Sequence, residues 1–196
     1  MTALLGIFTA FGLSASAGLN AYIPLLVIAL MARFTDLIVL NSPWDTLADP
    51  WVIGLLVVLS SIEFFADKVP AVNHINDTVQ TFVRPVAGAI AFAAGAQVFS
   101  EIHPVIAMAA GILVAGGVHT VKSIAVRPAV TVTTAGAGNV PVSMLEDLIS
   151  TVLSIISIVV PILIAMVVIL FTSWVIWSLW RRANRLSSTP LRNRQP

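Results

Sequence analysis

Six side chains that carry or can carry a charge crowd into residues 60–85, SSIEFFADKVPAVNHINDTVQTFVRP: Glu63, Asp67, Lys68, His74, Asp77 and Arg84. The stretch lies between two runs of nearly pure hydrocarbon. Glu63 and Asp67 are one helical turn apart, so both carboxylates share a face. Burying a charge at the lipid face of an apolar helix costs about 2.5–3.5 kcal/mol at full depth. Glu63 therefore has two readings. In the first it is a proton- or ion-linked carboxylate lining a pathway. In the second it pairs with Lys68 or Lys122 at the interface and fixes helix packing.

Further along, His119 and Lys122 sit one turn apart at the end of a glycine-rich apolar run, and Arg127 follows. Asn20 ends a similar run, GLSASAGLN. Small residues let helices approach closely, so a polar group among them can reach a neighbour. His119 and Asn20 are candidate ligands or relay groups. Arg84, Lys122 and Arg127 could hold an anionic lipid headgroup or simply set topology. The candidate substrate- or ion-binding set is thus Asn20, Glu63, Asp67, Lys68, Asp77, Arg84, His119, Lys122 and Arg127.

Other chemistries find little support. Glu63, Asp67, His74 and Asp77 offer ligands to a hard cation, but no ligand-loop spacing joins them, and Lys68 and Arg84 would repel the ion. The chain has no cysteine, which excludes thiolate catalysis and Cys-ligated metals. GLSASAG reads as helix packing rather than a serine nucleophile, and TTAGAGN lacks the lysine of a phosphate-binding loop. No enzyme activity, cofactor or nucleic-acid partner is expected.

The elements that position these residues follow from composition. Of 196 residues, 58% are hydrophobic and 10% charged, with a mean hydropathy of +1.00; soluble domains carry about 25% charged residues. Leu148 to Trp180 holds no ionisable group. The fold class is an all-α integral membrane protein, with a single polytopic domain over residues 1–180 and a basic tail over 181–196. The first span is expected over 3–32, interrupted by GLSASAG and Pro24, and the second over 51–66. An amphipathic helix over 71–83 is expected to lie in the interface, with Val72, Ile75, Val79, Phe82 and Val83 on its apolar side. Spans over 85–99 and 105–121 follow, then a loop or re-entrant segment over 122–147. As one helix, the last apolar stretch would be ~50 Å long, against ~30 Å of hydrocarbon; a break near Pro161 gives two spans.

Six spans with both termini cytoplasmic put every lysine and arginine but Arg33 inside, as the positive-inside rule expects. Five spans, with a long tilted last helix, is the alternative. GLSASAGLN and GILVAGGVH share glycine spacing and a terminal polar residue, which suggests an inverted repeat, while VRPVAGA (83–89) and VRPAVTV (126–132) match in a competing register. Trp174, Trp177 and Trp180 look like an interfacial belt.

SAGLNAYIPLL, EFFADKVPAVNHINDTVQTFVRPVAGA and VHTVKSIAVRP together resemble a family of small bacterial membrane proteins catalogued as domain of unknown function 4126. The resemblance runs through most of the chain and is most specific at ADKVP. It rests on Gly18, Asn20, Glu63, Asp67, Lys68, Pro70, Arg84, Pro85, His119, Lys122 and Arg127. It implies a bacterial cytoplasmic-membrane protein and supplies no activity. The functional expectation is a small transporter or channel with a polar cytoplasmic vestibule, embedded in the lipid bilayer and homo-oligomeric. The alternative is an accessory or assembly subunit of a larger membrane complex.

Overall fold

The computed structural model describes residues 2–68, 70–97 and 102–187; within the helices, the side chains of 70–75 and 77 are among those not described. The described chain forms helices α1 (Thr2–Leu19), α2 (Tyr22–Phe34), α3 (Pro50–Ala66), α4 (Pro70–Gln97), α5 (Pro104–Val121), α6 (Arg127–Thr134), α7 (Asn139–Val159) and α8 (Pro161–Ser187). A short 3-10 turn, Trp44–Ala48, precedes α3, and a π-helical turn, Lys122–Val126, joins α5 to α6. There is no strand among the described residues. Thr78–Gln97, Pro104–Thr134, Asn139–Val159 and Pro161–Arg182 are each long and apolar enough to cross a membrane, while Leu4–Leu19, Tyr22–Phe34 and Pro50–Ala66 are apolar but shorter. The protein is an all-α membrane protein.

Residues 3–32 are two helices rather than one span. GLSASAG stays inside α1, and the chain turns at Asn20–Ala21. Asn20 Oδ1 accepts hydrogen bonds from the backbone N–H of Tyr22 and of Ile23, both at 3.1 Å. It thereby caps the orphan donors of α2. Pro24 falls in the first turn of α2, where its missing N–H costs nothing. From there α2 runs back along α1. Near its end Arg33 donates to the Ala48 carbonyl at 3.0 Å, and Trp44 packs on the cluster of Ala10, Phe92, Ala93, Ala96 and Ala107. The start of α1 and the end of α2 therefore lie toward one end, the Arg33 end, with Asn20 toward the other. This corrects the expected placement of the N-terminus on the Glu63 side, which counted one crossing over 3–32.

Small residues bring α1 into contact with three helices. Ser14 Oγ donates to the Gly111 carbonyl at 2.9 Å, Gly18 lies against Ala115 and Val118, and Gly95 lies against Ala10 and Leu13. Gly88 and Gly111 meet backbone to backbone between α4 and α5, a contact that any Cβ would obstruct. Ser16 Oγ meets the Ser150 carbonyl (2.7 Å), Ser150 Oγ (2.8 Å) and Ser154 Oγ (2.7 Å) of α7. Rising numbers in α1 pair with rising numbers in α5, so these two helices run parallel. The proposed match of GLSASAGLN with GILVAGGVH would make them antiparallel in an inverted repeat, so that register does not hold.

Two further elements differ from expectation. The interfacial helix over 71–83 and the span after it are one continuous helix, α4, with Pro85 inside it. Its described residues are arranged opposite to a surface helix: Val79 and Phe82 are exposed while Gln80 and Arg84 are buried. Lipid, not water, is the outer solvent, so apolar groups face out. The segment after 121 is also helical, continuing through the π turn to Thr134. Thr131, Thr133 and Thr134 satisfy their hydroxyls on backbone carbonyls one turn back. The helix stops where Ala135 (φ 51) and Gly136 (φ 88) enter the left-handed region.

The final apolar stretch does break at Pro161, between α7 and α8. The described residues up to 164 form one packed unit and those of 165–187 a second. In the second, Trp174, Trp177 and Trp180 are exposed, and the Arg181 guanidinium lies 4.4 Å from the Trp177 ring centre. Residues 188–196 of the basic tail lie outside the described residues.

Candidate functional site: a buried charge network

At the Asn20 end of the first unit, α3 points its outer faces to lipid and turns Glu63 inward. Of its described residues, only Glu63 and Leu56 are buried. Glu63 Oε1 accepts from Arg84 Nη2 of α4 at 3.0 Å, with side chains 1% and 0% exposed. The other arm of the guanidinium, Nη1, lies 3.1 Å from His119 Nδ1. Arginine has no acceptor, so Nδ1 must be the lone-pair nitrogen, and Nε2 carries the proton. That proton points to Thr81 Oγ1 at 3.2 Å. The chain Glu63–Arg84–His119–Thr81 thus links α3, α4 and α5 with a defined imidazole tautomer.

A second cluster is centred on Glu146 of α7. Its Oε2 accepts from Lys122 Nζ and from Arg127 Nη2, each at 2.8 Å. Arg127 also reaches Asp67 Oδ2 at 3.4 Å. The π turn explains why two cations five residues apart share one acceptor. In an α-helix at about 100° per residue they would be far from one face; the wider turn, with i→i+5 hydrogen bonding, brings them round together. Lys122 also donates to the Leu19 carbonyl at 3.0 Å, which satisfies the last turn of α1.

Asp67, just past α3, accepts from Ser143 Oγ at 2.9 Å and from Asn76 Nδ2 at 2.7 Å. Burial pushes its carboxyl up. The hydrogen bonds from Ser143 and Asn76 and the nearby charges of Lys122 and Arg127 outweigh this and hold it below its ordinary value.

Of the nine residues singled out from sequence, Glu63, Arg84 and His119 form the first cluster, and Asp67, Lys122 and Arg127 join the second. Asn20 caps α2 and donates to Asp147 Oδ1 at 2.9 Å. Lys68 stays apart from both clusters: its Nζ donates to the Phe64 carbonyl at 2.8 Å and sits 2.9 Å from the Phe64 ring centre. The expected pairing of Glu63 with Lys68 or Lys122 is replaced by Glu63–Arg84. The side chains of Asp77 and His74 lie outside the described residues. Arg84, Lys122 and Arg127 are buried and paired with internal carboxylates.

Glu146, Ser143, Asn76 and Thr81 were not among the candidates. Ser143, Glu146, Ser150, Ser154 and Ser157 recur at three- and four-residue spacing along α7, all buried. That polar stripe in an apolar helix was the available signal. In the glycine-rich run before His119, a Cβ on Gly117 would meet nothing among the described residues and one on Gly116 would only touch Pro85.

A family model described as Domain of unknown function (DUF4126) matches residues 7–181. The chain belongs to that family. The match takes in every residue of both clusters. No curated protein matches the chain, and no solved structure does. Among the described residues no group of three or more His, Cys, Asp or Glu is placed to hold a metal ion.

Proposed function

We propose that this protein is a small membrane transporter whose pathway is closed at one end by the two ion-paired clusters. One observation carries the reading: Glu63, Arg84 and Gln80 are buried in apolar helices, yet Glu63 Oε2, Arg84 Nε and Gln80 Oε1 have no hydrogen-bond partner among the described residues. Charge is costly at such depth, and a packing device would satisfy its own polar atoms. Incompletely satisfied groups at this depth suit a solvated or ion-linked pathway, with Glu63 as its carboxylate. The pairs Glu63–Arg84 and Glu146–Lys122/Arg127 act as the closed gate, since opening them separates α3 from α4 and α5–α6 from α7.

The Glu63 end is assigned to the cytoplasm of a bacterial inner membrane, because Lys68 lies there while Arg33 shares its end with Asp36, Asp45 and Asp49. The N-terminus then lies outside. A cytoplasmic basic tail requires an odd number of crossings: seven, if each apolar helix crosses, in place of six.

The test is reconstitution into liposomes under imposed ion and pH gradients, beside gentle-detergent purification of the tagged protein from its host. Flux abolished by Glu63→Gln, from a protein that purifies alone or as a homo-oligomer, supports the reading. Recovery in stoichiometric amounts with a larger complex, and no flux, replaces it with the accessory-subunit reading.

A further inference from the structure

Helix α5 is fixed along its length, and α6 is not. Gly111 of α5 lies against the Gly88 backbone of α4, and Gly18 of α1 lies against Ala115. Ser14 Oγ donates to the Gly111 carbonyl at 2.9 Å, and at the far end Lys122 Nζ donates to the Leu19 carbonyl at 3.0 Å. Contacts this close leave α5 no room to tilt on α1 and α4. In α6, by contrast, Arg127 alone of the described residues is buried. Toward its other end, Asn139 Nδ2 donates to Thr131 Oγ1 in an exposed hydrogen bond of 3.1 Å.

Between α5 and α6 the backbone ladder is interrupted. The Arg127 N–H bonds to the Lys122 carbonyl, five residues back, in the π turn, and Pro128 has no N–H to give. A proline ring crowds the carbonyl four residues back, so it opens the turn without fixing the angle at which α6 leaves it. In a regular α-helix Lys122 and Arg127 would stand about 140° apart. Here both reach Glu146 Oε2 at 2.8 Å, so the shared carboxylate fixes the angle.

We infer that α6 is the moving part of the gate, turning on α5 about a joint at residues 122–128, and that Glu146 sets its angle by holding Lys122 and Arg127 together. The role in transport rests on the pathway reading above, whereas the joint itself does not. Released from Glu146, Arg127 moves away from Asp67 and α7 with the rest of α6, while α5 stays on α1 and α4. The turn into α7, with Ala135 and Gly136 at φ 51 and 88, absorbs the change of angle. Thr134 lies ~10 Å from Arg127 at 1.5 Å per residue. A change of about 20°, the least that makes a sharp kink, moves that end by about 3–4 Å.

The test is spin-label distance measurement on the full-length protein in nanodiscs, with cysteines introduced in pairs into a chain that has none. Labels at Leu113 and Thr133, both exposed, measure α6 against α5. Labels at Leu4 and Leu113 measure α1 against α5. Lys122→Met/Glu146→Gln removes a cation together with its anion, so no extra buried charge is stranded. Arg127→Met/Glu146→Gln does the same from the other side of the joint. Each should add a second Leu113–Thr133 distance, displaced by about 3–4 Å or more, with Leu4–Leu113 unchanged. With Ala125 deleted and Pro128→Ala, which make the joint regular α-helix, the same changes should leave a single distance. A Leu113–Thr133 distance that both variants leave unchanged, an equal shift in Leu4–Leu113, or a second distance that persists in the regular helix overturns the inference. A mobile α6 in a protein without flux keeps the joint and removes the transport reading. An immobile α6 beside Glu63-dependent flux overturns the joint alone.

Discussion

Arg84 joins Glu63 to His119, its two terminal nitrogens 3.0 Å from a carboxylate oxygen and 3.1 Å from an imidazole nitrogen, with the guanidinium fully buried. A single side chain of α4 therefore ties α3 to α5 where both run through apolar surroundings. Removing one partner strands a charge, whereas removing both does not. Glu63→Ala is expected to destabilise by about 3–5 kcal/mol, and Glu63→Leu/Arg84→Met to recover most of that loss. Unfolding in detergent checks it: a double variant no more stable than Glu63→Ala contradicts the pairing.

The glycines sort by contact rather than by local sequence. Gly111→Ala pushes a methyl into the Gly88 backbone, and α4 and α5 must separate. Gly117→Ala meets nothing and gains about 0.5–1 kcal/mol of helix preference. Thermal melting should fall for the first and hold or rise for the second; equal losses would contradict the packing described.

Asp67 supplies a pH dependence. Its folded carboxyl lies below its ordinary value, so its contribution to stability is fully present above the unfolded carboxyl range, about 3.9. That contribution is lost as pH falls through the lower folded value. Melting temperature should therefore drop in acid, and Asp67→Asn should lower it at neutral pH while flattening the acid drop. A variant with an unchanged acid profile would remove Asp67 as its source.

Topology is testable because the chain has no native cysteine. Single cysteines at Leu4 and Leu37, both exposed, should label from the same side, and one at Lys68 from the other. Labelling of Leu4 and Lys68 positions from one side would contradict the α1–α2 hairpin.

Much of the site was legible because polarity inside hydrocarbon is conspicuous. Glu63, Arg84, His119, Lys122 and Arg127 stood out from sequence, and all five are in the clusters. Their partners were not legible, since pairing depends on how helices rotate and on a π turn that moves Arg127 round to Glu146. The first span was misread because an asparagine that caps a helix resembles any polar residue at the end of an apolar run. Threonines and prolines after 121 suggest irregular chain, yet the segment is helical to Thr134: the threonines bond back to carbonyls, and Pro128 follows the widened turn. Lys68 and Gly117 misled in the opposite sense. Their residue types suggested roles, but their directions take them away from the contacts.

The central claim is that Glu63 belongs to a pathway rather than only to the packing. The most direct measurement is ion and proton flux into liposomes containing the purified protein, with Glu63→Gln compared at equal incorporation and at a temperature where both proteins are folded. Flux in the native protein and its loss in folded Glu63→Gln is the predicted result. Identical flux in the two, or none in either under any imposed gradient, would contradict it.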